Sequence, residues 1–391
     1  MVLTIVTAFS FQGSFVSDGY AISDGIVFFC LMMLPLAAVA GGGTWQERID
    51  SILTKPEQGA DTDWGVLAGP FYSPEMGAGV GLVQAAVYQA SKQSGGKNSA
   101  ISVTGFASLT GAFGVELNNY SYLDNDTWRF YLNGVVNKVP TDYWGRGYRA
   151  GYVKKNFGEY IAEQQQLSPS FLFRIADNTY IGTGWKFNSV NVVSVNPALR
   201  KYMSEHDYQQ NSVSSGASVI FSYDSRDFLL NAHRGQGLDV RYTWYSPFLG
   251  SDERFSTTEV QYNYYYSLDD RTVLAFDNYA RFVSGHVPWD QFSHLGNGRQ
   301  MRGYYDGRYQ DNHVFAFQME YRRKLAWRHG IAFWVGGGTM SKTVGHLGYG
   351  HWLPDAGIGY RFEFKPRMNV RLDFGIGKRS CGFYFQTGEA F

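Results

Sequence analysis

Cysteine, net charge and long apolar runs are all scarce in this sequence of 391 residues. Only Cys30 and Cys381 are present, which excludes a metal site built from several cysteines. The 34 Lys and Arg residues balance 34 Asp and Glu residues, whereas a nucleic-acid-binding surface needs a basic excess on one face. After Leu36 no apolar run is long enough for a membrane-spanning helix. These absences argue against a nucleic-acid-binding protein and a helical membrane protein.

The first forty residues have the features of a secretory signal peptide. Ile26–Leu36 is almost unbroken apolar sequence, and Ala38-Val39-Ala40 has the small-x-small form that signal peptidase accepts. We therefore predict a signal peptide over 1–40 and a mature chain that begins near Gly41. The segment lacks the basic residues that usually open a signal. The alternative is a membrane anchor, although about 15 apolar residues fall short of the ~20 that a spanning helix needs.

Aromatic residues are abundant, and apolar and polar residues alternate along most of the chain. There are 28 Tyr, 29 Phe and 10 Trp residues. In Arg367–Gly377 the apolar side chains occupy every second position and charged or polar side chains occupy the others. Such alternation is typical of a transmembrane β-strand, in which one face meets lipid and the other faces the lumen. The composition and pattern predict an exported membrane β-barrel.

The pattern predicts an all-β fold, a transmembrane 16-stranded antiparallel β-barrel with a short N-terminal helix. We assign the barrel to 64–391 and a helical extension to 41–63, where Thr44–Pro56 has helical spacing and an N-cap residue. This extension is interpreted either as a small plug or periplasmic cap or as a loose tail. The predicted strands are 64–72, 77–90, 99–111, 113–123, 127–139, 157–175, 179–192, 213–223, 236–248, 254–267, 270–283, 312–325, 328–340, 353–365, 367–377 and 380–391.

Several short motifs carry a resemblance to a known family. Met301-Arg302-Gly303-Tyr304 is similar to a (V/I/L)-R-G-(F/Y) signature, and Tyr223–Asp227 is similar to a Y-D-x-R-D turn. Phe71–Gly79 is similar to the first β-hairpin of barrels of that family, and Val370–Gly375 is similar to the sequence near their usual C-terminal end. In their order and spacing these motifs resemble the BamA/TamA family of outer-membrane barrels, in particular members without the periplasmic POTRA domains, for which the segment before the barrel has no room.

The resemblance implies that a long extracellular loop folds back into the lumen and that acids on the barrel wall hold its arginine. The expected loop lock consists of Arg302, Gly303 and Tyr304 with Glu320 as the acid, since Glu320 lies at an inward position between apolar neighbours. The family's second acid falls at Gly336. We expect Asp373 or Asp306 to compensate. The alternative interpretation of Arg302 is a solvated surface-loop residue.

The acids and arginine of one turn form a second candidate group. We interpret Asp224, Arg226 and Asp227 as a periplasmic turn held by its own ion pairs, because an oxygen-only metal site needs more converging ligands.

The aromatic residues of the last strand form a third group. Phe383, Phe385 and Phe391 share one lipid-facing parity and are expected to form the signal that the insertion machinery reads; the alternative is an ordinary last strand. The histidines of the presumed loops are expected to be exposed: His286, His294, His313, His346 and His351.

For function, the resemblance implies an outer-membrane factor of a Gram-negative-type bacterium that inserts or translocates proteins or lipids through a lateral seam. The expected partners are outer-membrane lipid, a client outer-membrane or exported protein, and a periplasmic protein that replaces the POTRA domains. The alternative is a passive pore or structural barrel. We expect no enzymatic activity, cofactor, metal or nucleic-acid partner, because no catalytic constellation is visible.

Overall fold

The computed structural model describes residues 11–15, 62–73, 77–88, 99–153, 158–228, 231–365 and 367–391. Within these ranges two helices are present, α1 Tyr148–Tyr152 and α2 Pro197–Glu205, with three short 3-10 turns. None of the described helices is long and apolar enough to cross a membrane. The strands of the same ranges are β1 Phe11–Phe15, β2 Thr62–Ser73, β3 Gly77–Tyr88, β4 Ser99–Ser108, β5 Phe113–Leu123, β6 Trp128–Tyr143, β7 Gly158–Ala176, β8 Thr179–Val195, β9 Asn211–Asp224, β10 Gly235–Tyr245, β11 Phe255–Asp269, β12 Thr272–Gly285, β13 Ser293–Leu295, β14 Tyr309–Asp311, β15 His313–Ala326, β16 His329–Ser341, β17 Trp352–Lys365, β18 Met368–Gly377 and β19 Ser380–Thr387.

Seventeen of these strands form one antiparallel sheet, and β13 pairs with β14 in a separate ribbon. Successive strands pair from β2 through β12, then β12 pairs with β15 and the ladder continues to β19. The strand β1 pairs with the other edge of β19, from Phe11 opposite Phe385 to Phe15 opposite Cys381, and also contacts β2. The position between the last strand and β2 is therefore the place where an additional strand joins the sheet.

Each of the sixteen predicted strand ranges falls on one strand of β2–β12 or β15–β19, with ends that differ by at most four residues. The prediction missed β1, β13 and β14. The last two have three residues each, too few for an alternating pattern to be recognised. The predicted all-β antiparallel architecture is confirmed.

The two faces of the sheet differ as the alternation predicted. In β18, Phe374 and Ile376 are 41% and 50% exposed, whereas Arg371 and Asp373 are buried. In β15 the exposed Phe317 and Met319 flank positions whose side chains are buried. The outward face is apolar and the inward face is charged, which is the arrangement of a membrane strand facing lipid on one side.

The predictions for the N-terminus stay predictions. The signal peptide over 1–40 lies outside the described residues except for β1, and the predicted helix over Thr44–Pro56 lies wholly outside them.

Candidate functional site

The connection 286–312 between β12 and β15 packs against the inward face of the sheet. Its first part is anchored by Arg281, whose Nη1 donates to the carbonyl oxygen of Gln291 at 2.8 Å. Trp289 and Phe292 are buried in a cluster with Leu199 and Met203 of α2. These contacts fix the start of the loop before its charged tip.

The tip of the loop makes an unusually close approach to β18 and β19. Gly303 has a φ of +114°, a conformation that L side chains rarely adopt. A Cβ at this position would lie 2.9 Å from backbone atoms of Gly375 and Ile376, so only glycine fits. The backbone N–H of Gly303 donates to the Tyr384 hydroxyl at 2.8 Å. The ring of Tyr304 is buried, and its hydroxyl donates to the Pro354 carbonyl at 2.6 Å.

Arg302 lies at the centre of the inward-facing charges and is fully buried. Its Nη2 lies 2.6 Å from Oε2 of Glu320, and its Nη1 donates to Oδ2 of Asp373 at 2.7 Å. Its guanidinium stacks 3.7 Å from the ring centroid of Trp334. The geometry brings Arg302 together with Glu320 on β15 and Asp373 on β18, two strands that are not neighbours in the sheet.

Three further arginines share the same acids. Arg361 on β17 donates from Nη1 to Asp373 at 2.5 Å and from Nε to Glu389 at 2.7 Å. The other two arginines and their contacts are Arg322 with Glu320 at 2.6 Å and with Glu389 at 3.5 Å, and Arg371 with Asp373 at 2.5 Å. We call the four arginines and three acids the lumenal cluster. Buried charges are tolerated only when they are paired in this way.

The two acids expected to compensate for Gly336 behave differently. Asp373 belongs to the lumenal cluster, but the Asp306 side chain is 44% exposed and lies 3.6 Å from His294, so its expected place in the lock is wrong. Gly336 lies directly opposite Asp355 in the ladder. A Cβ at Gly336 would overlap the Asp355 carboxylate and lie 2.6 Å from the Phe317 carbonyl oxygen. Asp355 thus occupies the space that an acid at 336 would need.

The predicted turn contains the expected ion pair and one contact that was not expected. Arg226 Nε donates to Asp224 Oδ1 at 2.8 Å. Asp227 instead accepts from Arg367, in the β17–β18 turn, at 2.8 Å. Burial opposes ionisation of Asp227, but backbone N–H groups of His233 and Arg234 and the Arg367 guanidinium hold the pKa of Asp227 below its usual value.

The aromatic residues of the last strand do not all face lipid. Phe383 lies opposite the outward-facing Phe374, and Phe385 shares that register parity. Phe391 is 8% exposed and packs inward with Ala232 and Tyr265, so its expected lipid-facing position is wrong. The strand ends at Thr387, and the chain turns after it. An insertion signal formed by these residues stays a prediction.

Sequence reasoning missed Arg322, Arg361, Arg371 and Glu389. Charged residues at inward positions of successive strands were the available signal, but which of them meet depends on how the sheet curves.

Of the histidines, His313 is 4% exposed and contacts the Phe282 ring, contrary to the expectation of exposure. His286, His294, His346 and His351 are exposed.

An antiparallel sheet with an apolar outward face, buried charges inward and a loop packed on those charges defines a membrane β-barrel protein. The family model of the Omp85 superfamily domain matches residues 95–391. The chain belongs to the Omp85 superfamily and is a protein of the Gram-negative outer membrane.

Solved structures show the same fold. BamA from Haemophilus ducreyi lacking POTRA domains 1–3 is 15% identical with a TM-score of 0.53, covering 83% of this chain and 69% of that one. CdiB from Acinetobacter baumannii is 12% identical (TM-score 0.52), covering 83% of this chain and 59% of that one. CdiB from Escherichia coli is 11% identical (TM-score 0.56), covering 86% and 63%. The chain therefore spans about three fifths to seven tenths of these proteins. No curated protein sequence matches it.

Proposed function

We propose that this protein inserts or translocates client proteins through a lateral seam in a closed barrel of sixteen strands, β2–β12 and β15–β19. The seam lies between β19 and β2. A client strand would pair with the outer edge of β19 by β-augmentation, in which main-chain hydrogen bonds supply affinity.

The observation that carries this proposal is the pairing of β1 with β19. Five residues, Phe11–Phe15, form a ladder on the outer edge of the last strand. When β1 is not bound there, this edge of β19 presents unpaired main-chain N–H and C=O groups. A client strand could pair with the same groups. If 1–40 is removed as a signal peptide, that edge becomes free in the mature protein.

The packed lumen supports this function over a passive pore. The loop 286–312 and the lumenal cluster fill the inward face with buried side chains, among them Trp334 and Tyr304. An ion-conducting pore would instead line its interior with solvated polar groups. A loop locked next to β18 and β19 is suited to hold the seam shut until a client, with a periplasmic partner in place of POTRA domains, engages it.

The test uses the full chain, refolded into liposomes with residues 1–40 retained. Phe15→Cys lies opposite the native Cys381, and directly opposed residues in an antiparallel pair are close enough for a disulfide. Cys30→Ser prevents mispairing. An unfolded eight-stranded outer-membrane barrel is added as the probe client, and its folding is followed by heat-modifiable electrophoresis.

The expected result is that the reduced protein accelerates folding of the probe client and the oxidised protein does not, because the tether blocks the edge of β19. Empty liposomes and the Cys381-only parent, under both redox conditions, are the controls. A folding rate equal to that of empty liposomes in both states, accompanied by steady ion conductance, would favour the passive pore.

A further inference from the structure

The chain does not continue β19 to its last residue. The strand ends at Thr387, and Gly388, with a φ of +80°, turns the chain while its N–H donates to the Asn369 carbonyl oxygen at 2.7 Å. Residues 389–391 then run along the inward face of the sheet. The segment that follows β19 therefore lies next to the lumenal cluster.

These last residues are bound by side chains of three other strands. The Glu389 carboxylate accepts from Arg361 Nε at 2.7 Å and from Asn369 Nδ2 at 2.5 Å. The main-chain oxygen of Phe391 accepts from Arg322 Nη2 at 2.9 Å. Ala390 and Phe391 also pack against Tyr265. The segment is held by charge-assisted hydrogen bonds as well as by apolar contact.

The same two guanidiniums also hold the acids that bind Arg302. Arg361 donates to Asp373 and lies 3.4 Å from Glu320, and Arg322 donates to Glu320 at 2.6 Å. Both Arg361 and Arg322 are therefore shared between the loop lock and the end of β19. A change at either side alters the charge balance that the other side depends on.

We infer that Glu389 is a positioning residue that couples the loop 286–312 to the end of β19, so that release of either one loosens the other. The inference rests on the proposed function, because it makes the loop lock a control on the strand edge that a client would use. The coupling is reciprocal: the factor by which a freed loop favours release of 389–391 equals the factor by which a freed end of β19 favours opening of the loop.

The physical basis is that Arg322 and Arg361 are shared between Glu389 and the acids of the lock. Arg322 contacts Glu389 and Glu320, and Arg361 contacts Glu389, Glu320 and Asp373. Removing the Glu389 carboxylate takes one anion away from both guanidiniums. Glu320 and Asp373 are then drawn toward Arg322 and Arg361 and bind Arg302 less tightly. Couplings of this kind typically change an equilibrium by about 5- to 150-fold.

The experiment measures both ends in the same protein. Ala390→Cys in a background with Cys30→Ser and Cys381→Ser reports exposure of the C-terminal segment through labelling by a membrane-impermeant thiol reagent. Limited proteolysis of the 286–312 loop reports the lock. Glu389→Gln is compared with Glu363→Gln, which removes an acid paired with the half-exposed Lys324, outside the lumenal cluster.

Glu389→Gln is expected to raise both thiol labelling and loop cleavage by 5-fold or more, and Glu363→Gln to change neither. Arg302→Ala is expected to raise labelling at 390, although the Arg302 guanidinium makes no described hydrogen bond to residues 389–391 and lies 6.0 Å from the centroid of the Phe391 ring. If Glu389→Gln exposes residue 390 while loop cleavage stays at the control rate, or if Arg302→Ala leaves labelling unchanged, the inference is overturned.

Two further arms keep the outcomes distinct. Where Glu389→Gln gives no heat-modifiable barrel, Glu389→Asp replaces it, because the shorter acid keeps the charge for folding but moves it away from Arg361; the same two readouts are expected to rise by a smaller factor. Neither readout requires a client. Coupling found in a protein that does not accelerate client folding would sustain the inference and refute the proposed function.

Discussion

Each acid that binds Arg302 also contacts other guanidiniums, which leads to an unequal effect of removing the two partners of one ion pair. Arg302 and Glu320 are both fully buried and lie 2.6 Å apart. Glu320→Gln takes a carboxylate away from three guanidiniums, those of Arg302, Arg322 and Arg361. Arg302→Met leaves Glu320 and Asp373 each with two other guanidiniums, and the methionine can still pack on Trp334. Glu320→Gln should therefore be much more destabilising, even though both changes break the same contact.

The expected magnitudes follow from the burial. Removing one partner of a buried pair costs about 3–5 kcal/mol, and we assign that range to Glu320→Gln. For Arg302→Met we expect about 0.5–3 kcal/mol, the usual range of a single substitution, because both acids keep other guanidinium partners. The double change Arg302→Met/Glu320→Gln should be no worse than Glu320→Gln alone, because the interaction is lost only once, with a coupling energy of about 0.5–3 kcal/mol.

The assay is denaturant unfolding in lipid vesicles, followed by tryptophan fluorescence, with loop proteolysis measured in parallel. Lys324→Met and Glu363→Gln form a matched control cycle on a pair that is partly exposed, for which about 0–1 kcal/mol is expected. Equal costs for Arg302→Met and Glu320→Gln, together with strict additivity in the double variant, would refute the shared network and make Arg302 an ordinary loop residue.

Three further predictions concern the wall and the turn. Gly336→Asp should destabilise the protein in the same unfolding assay instead of tightening the loop, because its side chain overlaps neighbouring atoms; a tighter, less cleavable loop would contradict this. Leu372→Arg near the membrane midplane should cost about 2–4 kcal/mol and Leu372→Met little; equal losses would refute the assignment of this position to the lipid face. Because the pKa of Asp227 is depressed, its contribution to turn 225–234 is present at neutral pH and is lost as pH falls below the usual aspartate range; cleavage of the turn that does not rise on acidification, or that Asp227→Asn does not raise at neutral pH, would count against it.

The strand ranges were predictable because they need only the two-residue period of a strand. Alternation gave the sixteen ranges and the inward parity of Glu320 in β15. The pairing of Glu320 with Arg302 also needed the family resemblance, which implies that the loop folds into the lumen and that acids on the wall hold its arginine.

The remaining partners depend on contacts across the sheet, which no local pattern specifies. Arg361 contacts Glu320 although their strands are two positions apart in the sheet. Glu389 contacts Arg361 because the chain turns at Gly388. We extended the alternating pattern of β19 to residue 391, four residues beyond the end of the strand, and therefore predicted that Phe391 faces lipid. The family's acid position at Gly336 likewise gave no sign that Asp355, on the neighbouring strand, fills that space.

The most direct measurement of the central claim is site-specific photocrosslinking at the seam. Phe383 of β19 and Phe374 of β18 lie opposite each other on the outward face. A photoreactive phenylalanine analogue is placed at one or the other, and the protein in liposomes is mixed with the unfolded probe client. The account predicts client adducts at position 383 and none at 374, whose strand is paired on both edges. Equal adducts at the two positions, or none at 383, would contradict a client strand at the edge of β19.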